Sequence, residues 1–126
     1  LTLEATESGS FDAPVMQLQR ITSSPGNVDD LGRIQFVGNN DAGEDITYAT
    51  IHAESKDVSD GTEDGQISFA YRNAGNLETV MLLGRDEIVF NEGSNDTNFR
   101  IESDDQTHMF FIDAGNNRIN INWSKK

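Results

Sequence analysis

The chain has no cysteine. That excludes a disulfide framework and any zinc or iron–sulfur site built on thiolates. It is poor in positive charge, with nine basic residues against 22 acidic ones and a formal net charge of −13 at pH 7. Nucleic acid is held by a basic face that displaces counterions, and no Lys/Arg cluster occurs before Lys125–Lys126. No nucleic-acid partner is expected, and no adhesion to an anionic membrane by charge. The same charge keeps the particle in solution. A membrane-crossing helix needs about 18 or more consecutive apolar residues, and no such run exists, so no membrane insertion is expected. No signal peptide is visible. The chain begins at Leu1, already in strand register with "LTLE", and reads as an excerpt of a longer polypeptide.

Core-forming residues are also scarce. Leu, Ile, Val and Phe number 30 of 126, just above the composition at which charged chains stay disordered. A core this thin is commonly completed by association with other chains.

What the sequence does contain is alternation. Apolar residues recur with period two in short runs. They are "VMQLQRI" (15–21), "GRIQFVG" (32–38), "ITYATIHA" (46–53), "QISFAY" (66–71), "LETVMLL" (77–83), "EIVF" (87–90), "NFRI" (98–101), "HMFFI" (108–112) and "RINI" (118–121). This is the pattern of half-buried strands. Ile34 and Phe36 share one face of their run, as do Ile67 and Phe69. In 46–53, Ile46 and Tyr48 oppose Ala49 and Ile51. Between the runs lie turn signals: "SSPGN", "GNNDAGED", "DGTEDG", "NAGN", "NEGSND" and "DAGNN". Gly, Asn and Asp there tolerate the positive φ of tight hairpins. The fold class is all-β. A weak repeat relates "IVFNEGSNDTNFRI" to "FFIDAGNNRINI", with Asn91 and Asp113 in corresponding places; such units suit a β-repeat that stacks along an axis. A module break is expected near Gly84, giving a β-rich module over 1–83 and a second one over 84–126.

The candidate sites are few. "DVSDGTEDG" (57–65) concentrates carboxylates, but an EF-hand needs fixed ligand positions, a central Gly and a closing Glu. Counting from Asp57 puts Thr62 where the Gly belongs, and counting from Asp60 meets Gly65 but no closing Glu. A looser calcium site is the alternative to a pair of turns, "SDG" and "EDG", and turns with solvated acids are the expectation. Glycosidases use two carboxylates about 5–10 Å apart. Here no aromatic-rich sugar platform accompanies the acids, since only Tyr48, Tyr71 and Trp123 offer large polar-edged rings. His52 and His108 lack metal-ligand spacing, and no Gly-x-Ser-x-Gly elbow is present. No catalytic residue, cofactor or metal ligand is therefore assigned. Arg20, Arg33, Arg72, Arg100 and Arg118 lie in or beside strands, placed to pair with carboxylates on neighbouring strands or subunits.

One longer string carries a resemblance. Leu31, Gly32, Ile34 and Phe36 are followed by Tyr48, Ala49 and Ile51, then by Asp57, Gly61, Glu63, Asp64, Gly65, Ile67 and Phe69. This succession resembles a module of tail-fibre and tail-spike proteins of marine bacteriophages. The lead-in "LTLEATESGSFDAPVMQLQR" and the segment from Val89 to Ile121 are similar to what flanks that module, so the resemblance covers most of residues 1–121. Such chains often continue as Gly-Ile-Gly-Thr into a self-cleaving chaperone, whereas this sequence reads "RININWSKK". The resemblance implies a homotrimer, with short strands intertwined or stacked about one axis as a β-prism or triple-stranded β-helix. It also implies a place on the virion and contact with other tail or fibre proteins.

The function expected is a structural segment of a fibre or spike, supporting host attachment without chemistry. The alternative is a receptor- or glycan-binding module acting through loops 38–45 and 91–98. A polysaccharide-degrading spike would want a longer regular β-helix and a carboxylate cleft. Expected trimer-core residues are Ile34, Phe36, Ile67, Phe69, Phe110 and Ile112. Gly32, Gly61 and Gly65 are expected to serve turn geometry.

Overall fold

The computed structural model describes residues 2–4 and 14–122; Leu1, Trp123 and the Lys125–Lys126 pair lie outside them. The described residues are all-β. Eight antiparallel strands form two sheets. β1 (Asp30–Asn39), β2 (Asp45–Asp57), β3 (Asp64–Asn73), β4 (Asn76–Leu83) and β5 (Ile88–Phe90) make a five-stranded meander in sequence order. β6 (Phe99–Ile101), β7 (Phe110–Asp113) and β8 (Arg118–Ile121) make a second, three-stranded meander. Because β5 pairs with β4, the expected break at Gly84 falls inside a hairpin, and the change of sheet comes after Phe90.

The turns follow from their residues. Asn40 closes the β1–β2 turn by accepting at its Oδ1 from the backbone N–H of Ala42 and of Glu44. The acidic stretch links β2 to β3: Thr62 N–H donates to the Ser59 carbonyl, Asp57 accepts from Ser59 N–H, and Gly61 sits at φ +83°. The β3–β4 hairpin turns on Ala74 (φ +46°) and Gly75 (φ +87°), the pair of positive φ angles a two-residue loop of this hand demands.

Three expectations are corrected. Residues 15–21 alternate but are not a strand; alternation fixes which side chains share a face and supplies no ladder partner, and here the segment lies against β1 through Leu18. Likewise, Thr2–Glu4 are not in a strand. Finally, Gly32 and Gly65 are strand residues without positive φ. Gly32 is needed for close approach, since a Cβ there would lie 2.9 Å from Leu18 Cβ, whereas at Gly65 a Cβ meets only ordinary contact. Of the three, Gly61 alone serves turn geometry.

Register determines the faces, because directly opposed residues point to the same side. One face of the larger sheet carries three rows. The central row is Ile34, Ile51, Phe69, Met81, Phe90; the second is Gly32, Ala53, Ile67, Leu83, Ile88; the third is Phe36, Ala49, Tyr71, Glu78. The opposite face reads Arg33, His52, Ser68, Leu82, Val89 and Gln35, Thr50, Ala70, Thr79, with Asp30, Glu54 and Gln66 beyond. Despite this segregation, no apolar side chain among the described residues is buried, and the two that are buried, Thr50 and Ser55, are polar.

Candidate functional site

The apolar face does not stop at the edge of the first sheet. In the smaller sheet Phe99, Ile112 and Ile119 oppose one another, as do Ile101, Phe110 and Ile121, so all six share one side. Phe90 on β5 meets Phe99 on β6 at 4.9 Å between ring centroids, and Phe99 meets Phe110 edge-on at 6.1 Å. A groove of about 380 Å³ opens along this seam, lined by Phe69, Val80, Met81, Phe90, Thr97 and Phe99. The structure therefore brings Ile34, Phe36, Ile67 and Phe69 together on one sheet face. It carries that face through the aromatic seam to Phe110 and Ile112.

Much of this surface is wet. Phe36 is 53% exposed, Phe90 49%, Ile88 61% and Ile119 66%. These exposed apolar residues lie on the same side of the two sheets. Sequence reasoning missed Ile51, Met81, Phe90, Phe99 and Ile119. Their alternation was the available signal; the missing information was which strands pair, and for Met81 the register shift on β4.

The polar face groups Asp30, His52 and Glu54, whose ligand-type atoms lie within 4.8 Å of one another. His52 and Glu54 are two apart on β2 and so share a side, and β1 places Asp30 opposite Glu54. His52 Nε2 lies 2.7 Å from Asp30 Oδ1. Spacing alone hid this group, because the bulge at Leu31 sets which β1 residue faces Glu54. The residue types suit a divalent transition ion, but both carboxylates already have cationic partners. Arg33 Nη2 is 3.7 Å from Asp30 Oδ2, and Lys56 Nζ is 3.0 Å from Glu54 Oε1. The group is a charge-balanced surface network as it stands.

In the acidic stretch one carboxylate is paired. Arg85 Nη1 reaches Asp64 Oδ2 at 2.8 Å and its Nε lies 3.6 Å from Asp86 Oδ1, in a polar cleft also lined by Lys56 and Asp57. The hydrogen bond to Asp64 raises the Arg85 pKa, and Asp57 is held below the usual carboxylate range first by its hydrogen bonds from Ser59. Asp60 and Glu63 are exposed and solvated as expected; Asp64 is paired instead.

Among the arginines, Arg20 pairs with Asp29 at 2.7 Å, whereas Arg100 pairs with Glu102 at 2.8 Å, two residues along its own segment, and Arg33 with Asp30 on its own strand, not with a neighbouring one. Arg72 departs from the expectation, donating to the carbonyls of Thr47 and Gly75. The second histidine, His108, packs edge-on against Phe111 at 4.7 Å, on the side of the small sheet opposite its apolar face.

No family model matches the chain, no curated protein matches it, and no solved structure matches it.

Proposed function

We propose that this chain is a structural, non-catalytic segment of a phage tail fibre or spike. It acts as a homotrimer that joins other virion tail or fibre proteins and supports host attachment. The observation that carries the reading is the lack of any buried apolar side chain among the described residues of a chain whose strands are sharply two-sided. Such a chain gains its hydrophobic stabilisation on association, and closing strands among copies also protects sheet edges that would otherwise recruit strands at random. The resemblance of residues 31–69 to marine phage fibre modules supplies the biological setting. The stacked or intertwined β-prism arrangement is part of this proposal.

Sedimentation equilibrium of the purified chain at micromolar concentration tests it. A mass of three chains is expected, and a compact, stably folded monomer overturns the reading. Release of reducing ends from host polysaccharide, abolished by substituting one carboxylate, would overturn the non-catalytic part.

A receptor-binding role is the second reading, favoured by one feature. The His108–Phe111 pair and Asn120 lie together around a shallow hollow on the small sheet, an aromatic surface beside an amide. Binding on a glycan array, lost in Phe111→Ala with the oligomeric mass unchanged, would establish it.

A further inference from the structure

We infer that the apolar face running across both sheets, from Ile34 through Phe69 and Phe90 to Ile119, is the surface on which copies of this chain pack. The face carrying Arg33, Gln35 and His52 is turned outward. The inference rests on the self-association proposed above and names the surface that performs it.

The exposed area points to an uncovered face. The chain exposes 9956 Å², whereas a compact monomer of 13.9 kDa exposes about 6,700 Å². Part of that excess is carried by residues 14–29, which lie in no strand, and the uncovered apolar rows contribute to the rest; a standard protein–protein contact takes about 800 Å² from each partner.

The distribution of charge points to the same face. In the three apolar rows the only ionisable carboxylate is Glu78, at the outer end of one row. The net charge of −13 lies on the opposite face, in the turns and outside the described residues. Copies can meet on the apolar side without bringing like charges together, whereas meeting on the other side would stack Asp30, Glu54 and their counterparts. A third observation bounds the surface: Leu18 already lies over Gly32 at the β1 end, so the uncovered part runs from Ile34 towards β8.

The absence of cysteine makes a direct test available. Phe36 and Gln35 are sequence neighbours on opposite faces, and both are exposed in the single chain; Ile119 and Asn120 form a second such pair in the small sheet. Four single-cysteine variants, Phe36→Cys, Gln35→Cys, Ile119→Cys and Asn120→Cys, are purified, their mass measured, and their labelling by a maleimide reagent timed. A thiol covered by a partner reacts only through opening of the interface, so the Phe36→Cys and Ile119→Cys oligomers are expected to label at least about tenfold more slowly than the Gln35→Cys and Asn120→Cys oligomers. Loss of assembly in Phe36→Cys alone, with Gln35→Cys still assembled, points to the same face. Oligomers in which Phe36→Cys and Ile119→Cys label as fast as their neighbours, or in which Gln35→Cys and Asn120→Cys are the protected pair, overturn the inference and leave the fibre reading standing. A monomer in which all four label freely overturns both.

Discussion

Replacing Phe69 by Ala is expected to abolish assembly. Phe69 occupies the middle of the central apolar row, with Ile51 opposite on β2 and Met81 opposite on β4, and it lines the groove at the seam between the sheets. In one chain it is half-buried. In the trimer proposed above neighbouring copies would cover it, and truncating a buried Phe costs about 3–5 kcal/mol. A trimer suffers that loss three times in one cooperative unit, so even with partial relaxation the sum rivals the roughly 5–15 kcal/mol that stabilises a typical domain. Ser68→Ala, one residue away on the polar face, is the control and is expected to change stability by less than about 0.5 kcal/mol. Sedimentation velocity and thermal unfolding at two widely separated concentrations read the result. Phe69→Ala is expected to sediment as unassembled chain, with unfolding no longer dependent on concentration. If it keeps the wild-type mass and melts within about 4 °C of Ser68→Ala, a shift worth only about 1 kcal/mol, Phe69 is not packed between copies.

Three further outcomes are expected. Chelation with EDTA leaves the melting temperature unchanged, because Arg85 pairs with Asp64 and Lys56 with Glu54 while Asp60 and Glu63 lie exposed; a fall of about 10 °C, corresponding to roughly 1–3 kcal/mol, would contradict this. Ala74→Asn raises stability by about 0.5–1 kcal/mol per chain in urea unfolding, since Ala74 is held at φ +46° where Asn is better tolerated, and no gain would mean that the hairpin has another geometry. Acidification removes a contribution made by Asp29, whose pKa is lowered first by the Gly26 N–H and further by Arg20, against some desolvation; with the folded value below the unfolded one of about 4, this stability is complete above pH 4 and lost as pH falls through the folded value, so Asp29→Asn is expected to flatten the urea midpoint below pH 4 and an unchanged slope would refute the assignment.

The strands were legible wherever alternation met a partner. Ile34 with Phe36, Ile67 with Phe69 and Phe110 with Ile112 lie on shared faces as their spacing implies. Bulges were not legible, because one extra residue reverses the parity of everything beyond it. In β2 the sequence sets Ile46 and Tyr48 against Ala49 and Ile51. A register shift leaves Tyr48 unpaired, opposes Ile46 to Gly38, and so returns Ile46 to the face of Ile51. Another shift, on β4 at Val80, keeps Met81 and Leu83 with Phe69 and Ile67. The run at 15–21 shows the converse limit: its alternation is as clear as that of β1, yet no backbone ladder engages it. The Asp30–His52–Glu54 group was hidden for the same reason, since it depends on a cross-strand pairing that follows the bulge at Leu31.

The repeat visible in the sequence has a physical basis in the turns rather than in the strands. Its two sequence copies are used differently, because β5 and β6 flank Asn91 in separate sheets while β7 and β8 form a hairpin around Asp113. What recurs is an Asn or Asp, one residue, then Gly, and the structure adds an earlier instance at Asn73–Gly75. Three residues after Gly75, Glu78 lies against the next turn, where a Cβ at Gly93 would come within 2.9 Å of its Oε2. Three residues after Gly93, Asp96 does the same to Gly115, at 2.7 Å from its Oδ1. Asn98 binds these last two turns by accepting from the Ala114 N–H. Gly93 and Gly115 thus leave room for a carboxylate three residues past the preceding glycine, whereas Gly75 has open space around it, and these last two turns pack through polar groups. Packing of this kind spends no apolar side chains. A chain with so few of them can therefore extend from turn to turn while its Ile and Phe residues stay on one side, the division of labour that the fibre proposed above would require.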